Sequence, residues 1–183
     1  MKLPIYVYGE SVLRKTAEPV DVENTDWKTL VADMFETMYN ANGVGLAAPQ
    51  IGRSIRLFVI DSEPFKEAFP DVRIYKGAFI NPAITEEWGD DFVFGEGCLS
   101  LPDLNEDVTR KSQIRIEFYD EDGKFHNEEF DGLVARIIQH EYDHLDGKVF
   151  TDHLSPIKKM VIKRQLNDIA QGKFRASYKT VHK

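Results

Sequence analysis

Apolar side chains recur every fourth residue at Leu30, Met34 and Met38. That spacing predicts a helix from about Asp26 to Ala41, stopped by Asn42-Gly43. A second helix is predicted from about Gly132 to Leu145, where Leu133, Val134, Ile137 and Ile138 leave little polar circumference, the mark of a buried helix. Asp131 is placed to cap its start and Gly147 to end it. A third helix begins at Ser155-Pro156, a good N-cap and first-turn pair. Its stripe is Ile162, Leu166 and Ile169, and Gly172 closes it. Between the first two helices the pattern turns to β. Ile55 to Ile60 is a short apolar strand, and Phe79 to Ile84 is another, with Pro82 arguing for a sheet edge. From Gln113 to Tyr119, Ile114, Ile116 and Phe118 alternate with polar neighbours. Glu121-Asp122-Gly123 then turns the chain into Lys124–Phe130, a hairpin. Ser62–Gly77 reads as a long surface loop. Helices at the ends and strands in the middle predict an α+β fold, with mixed or antiparallel strands packed around the central helix.

The chain of 183 residues fits one domain over 1–183, with enough length to bury a core. At 42% hydrophobic and 30% charged, its composition excludes disordered and fibrous classes. No apolar run is long enough for a signal peptide or a membrane span. Cys98 is the single cysteine, so no intramolecular disulfide can form and a reducing, cytoplasmic setting is expected. The net charge of −8 is unevenly placed: residues 155–183 carry eight bases and one acid, a net +7, on a body of −15. A basic C-terminal helix and tail from about residue 155 suggest a polyanionic partner, though a solvated helix face explains them equally well.

The chemistry starts at His140-Glu141-Tyr142-Asp143-His144, inside the buried helix. Residues four apart share a helical face, so both imidazoles can reach one metal ion, and Glu141 can act as general base on its water. Two histidines and a glutamate are costly to bury without such a partner. A catalytic metal needs a third protein ligand and an open position. His153 and His182 lie downstream, but in no familiar frame. Cys98 offers another solution, because the glycines of Gly95-Glu96-Gly97-Cys98-Leu99-Ser100 let the backbone approach a metal closely. A third segment, Gly43-Val44-Gly45-Leu46-Ala47-Ala48-Pro49-Gln50, is rich in small residues but lacks the Lys-Ser/Thr of a phosphate loop.

Together these segments resemble the peptide deformylases. Gly43–Gln50 is similar to their GφGφAAxQ motif, Glu96–Ser100 to EGCLS and Gln139–His144 to QHExDH, in family order and over roughly residues 3 to 170. The resemblance implies metal-dependent hydrolysis of the N-terminal formyl group of formyl-methionyl nascent peptides. It implies Cys98, His140 and His144 as metal ligands, water in the fourth position and Glu141 as general base and later proton donor. The Gln50 amide and the Leu99 N–H would stabilise the oxyanion, and Gly43, Val44 and Gly45 would bind the peptide as an added strand. Val44, Leu133 and Ile137 are expected in the wall of the methionine pocket. The implied ion is Fe(II), with zinc, nickel or cobalt in purified protein. Family members often carry an arginine after EGCLS near the substrate's C-terminal side. Here Pro102–Asp107 has no base before Arg110, so that anchor is absent.

His126, His153 and His182 read as solvated hairpin, loop and tail residues, and Trp27 and Trp88 as packing groups. Arg136 and Asp143, on the motif helix, read as ion-pairing groups behind the ligands. Two alternatives stand beside the deformylase expectation. A small HExxH metallopeptidase would cut internal peptide bonds without needing Cys98. A ribosome- or RNA-binding domain with a structural metal would use the +7 segment, but would need four protein ligands. Neither a membrane nor a DNA partner is expected.

Overall fold

The computed structural model describes residues Met1–Lys183. Its elements are β1 (Ile5–Tyr6), α1 (Lys28–Asn40), β2 (Gly45–Ala47), β3 (Leu57–Asp61), β4 (Lys76–Cys98), β5 (Leu101–Tyr119), β6 (Phe125–Asp131), α2 (Gly132–Leu145), α3 (Pro156–Ala170) and β7 (Thr180–Val181). Strands β2 to β6 form one antiparallel sheet in sequence order, and β1 pairs separately with β7 in parallel. The fold is the expected α+β arrangement, with helices near both ends of the strand series.

Both faces of β3 are covered, which explains its unbroken apolar run. Phe58 and Ile60 join Val134, Ile137 and Ile138 of α2 in one core cluster, together with Ile114, Ile116 and Phe118 of β5. Leu57 and Val59 point the other way and join Leu30, Met34 and Met38 of α1. The period-2 alternation of the strand thus serves two helices on opposite sides. A third cluster holds Ile162 and Ile169 of α3 against Leu104 and Val108 of β5.

Several boundaries differ from the sequence expectation. The segment Phe79–Ile84 is no edge strand. It lies inside β4, which is flanked by β3 and β5, and Pro82 is tolerated because the register shifts between Ile80 and Ala83. Strands β4 and β5 also run far beyond their predicted parts, as a long hairpin from Glu86–Cys98 to Leu101–Arg115. Asp131 occupies the N-cap of α2 but makes no capping bond through its side chain. Ser155 does cap α3, accepting from the Lys158 N–H at 3.3 Å. The Ser62–Gly77 loop folds inward enough for Phe65 to meet Phe94 edge to face. His126 is less solvated than expected: it stacks on Phe118 and bonds Asp120 at 2.7 Å. No helix is long and apolar enough to cross a membrane.

Candidate metal centre and active-site cavity

The end of the β4–β5 hairpin meets the middle of α2. There the Sγ of Cys98 and ring nitrogens of His140 and His144 all lie within 4.8 Å of one another. Cys98 Sγ is 3.4 Å from His144 Nε2. One sulfur and two imidazoles make a soft donor set, and three protein donors leave a position open, as catalytic sites require. His153 points elsewhere, to Asp143 at 2.7 Å, and His182 packs on Phe174 in the tail.

His140 is held by its other nitrogen: Nδ1 lies 2.8 Å from Glu96 Oε1, which leaves Nε2 turned to the cluster. Glu96 is fully engaged. Arg110 Nε donates to Oε2 at 2.7 Å and Nη2 to Oε1 at 2.9 Å, and Arg136 Nη1 donates to Oε2 at 2.6 Å. Arg110 also donates to Asp143 at 2.8 Å. Arg136 donates to the Val108 carbonyl at 2.9 Å and to that of Phe92, and its guanidinium lies over the Phe92 ring. Two carboxylates and two guanidinia balance, as buried charges must. Burial pushes the Glu96 carboxyl up, but its bonds from His140 and Arg110 prevail and hold it well below the usual range.

Burial lowers both imidazoles, yet they part. His144 falls to about 3, with His140 adding to the effect, while His140 is held above its ordinary value by Cys98 and Glu96. Glu141 is buried beside them, 3.9 Å from His140 Nε2, and its Oε2 has no hydrogen-bond partner. Burial raises its carboxyl to about 7, against the pull of His140. A buried, unpartnered carboxylate oxygen next to a soft donor triad is suited to exchange protons with a molecule bound there.

Gln50 faces the cluster from the short helical turn after β2. Its Oε1 accepts from the Ala47 N–H at 2.8 Å, which points Nε2 toward Cys98 Sγ at 3.4 Å and Ser100 Oγ at 3.1 Å. Leu99 follows Cys98 in the hairpin turn. Cys98 and His140 open into one cavity of about 430 Å³, which Gly43, Val44, Gly45, Gln50, Leu99, Ile137 and Glu141 also line. Leu133 is not in its wall, while Phe65, Phe94 and Tyr178 are. β2 is the edge of its sheet, so one side of its backbone has no partner strand. Gly45 has to be glycine, because a Cβ there would lie 2.5 Å from Glu141 Oε1.

Sequence reasoning gave no role to Glu96, Arg110, Ser100 or Tyr178. The signal for Arg110 was present: it shares an inward face of β5 with Val108, and a charge on an apolar face implies a buried partner. Tyr178 carried no such signal.

Residues 2–160 match the family described as polypeptide deformylase. A peptide deformylase of Cytophaga hutchinsonii is 49% identical over 98% of this chain and 96% of its own length. One of Flavobacterium psychrophilum is 47% identical over 98% and 96%. The crystal structure of a peptide deformylase from Legionella pneumophila superposes with a TM-score of 0.79 at 39% identity, covering 94% of this chain and 98% of that one. Since the family match spans most of the chain and includes every segment that lines the cluster, the chain belongs to the peptide deformylase family of metal-dependent hydrolases.

Proposed function

We propose that this enzyme removes the N-terminal formyl group of nascent peptides with Glu141, Gln50 and Leu99, at an ion held by Cys98, His140 and His144. The observation that carries these roles is the convergence of a soft donor triad, an unpartnered buried carboxylate and an amide N–H donor in one cavity. The donor set fits a divalent metal with one exchangeable position, and we take the ion in the cell to be Fe(II), with zinc, nickel or cobalt as replacements. When bound, such an ion supplies Lewis acidity that makes water a nucleophile near neutral pH.

The residues do the rest. A peptide adds to the free edge of β2 at Gly43–Gly45, with its first side chain against Val44 and Ile137. Glu141 takes a proton from the attacking water as the new C–O bond forms at the formyl carbon. Gln50 Nε2 and the Leu99 N–H donate to the oxygen that gains negative charge. The C–N bond then breaks, Glu141 passes the proton to the leaving amine, and formate departs. A formyl group is the smallest acyl, so the narrow space beside Gln50 and Leu99 favours it over larger ones. Translation supplies the substrate, which places the enzyme in the cytoplasm. The basic residues of α3 and the tail are proposed as its contact with the ribosome.

The test is formate release from formyl-Met-Ala-Ser by protein loaded with Fe(II) without oxygen. Release that Cys98→Ala and Glu141→Ala both abolish, with Glu141→Ala still binding metal, supports these roles. Cleavage of internal peptide bonds instead would indicate a metallopeptidase. Metal analysis of protein purified without oxygen is expected to find iron in one-to-one ratio; zinc under those conditions would overturn the iron assignment.

A further inference from the structure

The family match stops at residue 160, yet the chain beyond it returns to the cavity. After α3, Gly172 adopts a φ of +74°, and a Cβ there would lie 2.5 Å from His182 Cδ2, so the tail folds back on itself. Phe174 and His182 meet edge to face at 5.6 Å. β7 then docks beside β1: the Ile5 N–H donates to the Lys179 carbonyl at 2.9 Å and the Val7 N–H to that of Val181 at 3.1 Å. This docking delivers Tyr178 to the cavity wall, where its hydroxyl donates to the Leu99 carbonyl at 2.7 Å.

The turn it grips, Leu99-Ser100, joins β4 to β5 directly after Cys98. It lies between the paired Cys98 and Leu101, so the Leu99 carbonyl takes part in no ladder bond. Other contacts hold the turn. The Ser100 carbonyl accepts from the Tyr8 N–H at 2.8 Å. Ser100 Oγ donates to the Tyr6 carbonyl at 2.7 Å and accepts from Gln50 Nε2 at 3.1 Å. The Leu99 side chain lies so close to Gly43 that a Cβ there would be 2.8 Å from Leu99 Cδ1. The N-terminal strand thus holds Ser100, while Leu99 is held by Gly43 on its side chain and by Tyr178 on its carbonyl. The carbonyl and the N–H of Leu99 flank one Cα, so fixing the first, with the side chain wedged, limits rotation of the second.

We infer that Tyr178 is a positioning residue for deformylation: by holding the Leu99 carbonyl it aims the Leu99 N–H at the developing oxyanion, which makes residues 171–183 part of the working site. The inference rests on the deformylase roles proposed above. A donor that is not held in place must be reoriented as charge develops, and that cost falls on the transition state. The loss should therefore appear in kcat and not in substrate binding.

The experiment compares parent and Tyr178→Phe, loaded with the same ion, for metal content, melting temperature, kcat and KM on formyl-Met-Ala-Ser. The variant keeps the ring and its packing and removes only the donor. At equal metal content, kcat is expected to fall about 3- to 10-fold, the worth of one neutral hydrogen bond, with KM and melting temperature unchanged. An unchanged kcat in the variant overturns the inference, whether or not its melting temperature falls. A loss confined to KM also overturns it, since Tyr178 would then contact substrate instead. An inactive parent overturns the deformylase roles and this inference together; an active parent with an unaffected variant overturns this inference alone.

Discussion

Glu96 faces inward from β4, and His140, Arg110 and Arg136 all converge on its two oxygens. Each contact has a separate consequence. The bond to His140 fixes which imidazole nitrogen is free for a metal. The bidentate bond to Arg110 ties β4 to β5 diagonally, since Glu96 is paired with Glu106 and Arg110 with Phe92, and Arg110 extends the network to Asp143 on α2. Arg136 ties α2 to β4 and β5. Replacing Glu96 by alanine leaves two guanidinia with one carboxylate between them in a buried site. Losing one partner of a buried charge group costs about 3–5 kcal/mol. Glu96→Ala is therefore expected to lower the melting temperature and to weaken metal binding by about 10- to 100-fold, because His140 loses its orienting acceptor. Competition against a chelating dye measures the second effect. Unchanged metal affinity in a folded variant would show that His140 is oriented by other contacts. Gly45 shows the same dependence on single atoms, since the space that a Cβ would take there is occupied by the Glu141 carboxylate.

At the scale of elements, the β5–β6 hairpin carries its own pH dependence. Asp120 sits at its turn, accepting from the backbone N–H groups of Asp122 and Lys124 and bonded to His126 at 2.7 Å. Partial burial raises its carboxyl, but those bonds outweigh burial and the net shift is downward. A carboxyl lowered by folding stabilises the native state above its unfolded value of about 4, and that contribution is lost as pH falls through the lower folded value. Asp120→Asn should thus melt below the parent at pH 7, and the gap should close under acid conditions; a gap that is constant with pH would refute the linkage. This hairpin was legible in the sequence because Ile114, Ile116 and Phe118 alternate with polar neighbours above a buried face. The helices were legible for the same reason, as were the three motifs at the site. The outer halves of β4 and β5 were not. Residues such as Glu86, Glu87, Asp90 and Asp91 leave no apolar alternation, since that ribbon is held by its own cross-strand bonds with much of it in solvent. Pro82 misled for a related reason: a bulge lets a central strand tolerate a missing donor. Tyr178 could not be foreseen because its role depends on where β7 docks, a long-range contact that no local pattern records.

For the whole molecule, charge and apolar exposure coincide on α3. Its inner side reaches the core through Ile162 and Ile169, while Ile157, Met160 and Val161 are 75%, 76% and 72% exposed. Lys159, Lys163 and Arg164 are exposed on the same helix and enter no ion pair of the fold, whereas Lys158 is paired with Glu106 at 3.2 Å. A scattered surface leucine means little, but two consecutive turns mixing bare apolar groups with free cations on an acidic protein suit a polyanion with some apolar surface. The ribosome, where the substrate emerges, has that chemistry. Each phosphate neutralised by such a cation releases counterions, so the logarithm of the binding constant should fall with the logarithm of salt by about 0.7–0.9 per contact. Changing Lys159, Lys163 and Arg164 together to glutamate is expected to abolish cosedimentation with ribosomes while leaving kcat/KM on formyl-Met-Ala-Ser unchanged, because none of the three lines the cavity. Deformylation of ribosome-bound nascent chains should then slow while that of free peptide does not. Binding that ignores salt, or that survives the triple substitution, would place the contact on another face of the molecule and leave the charge of α3 as a solvated surface.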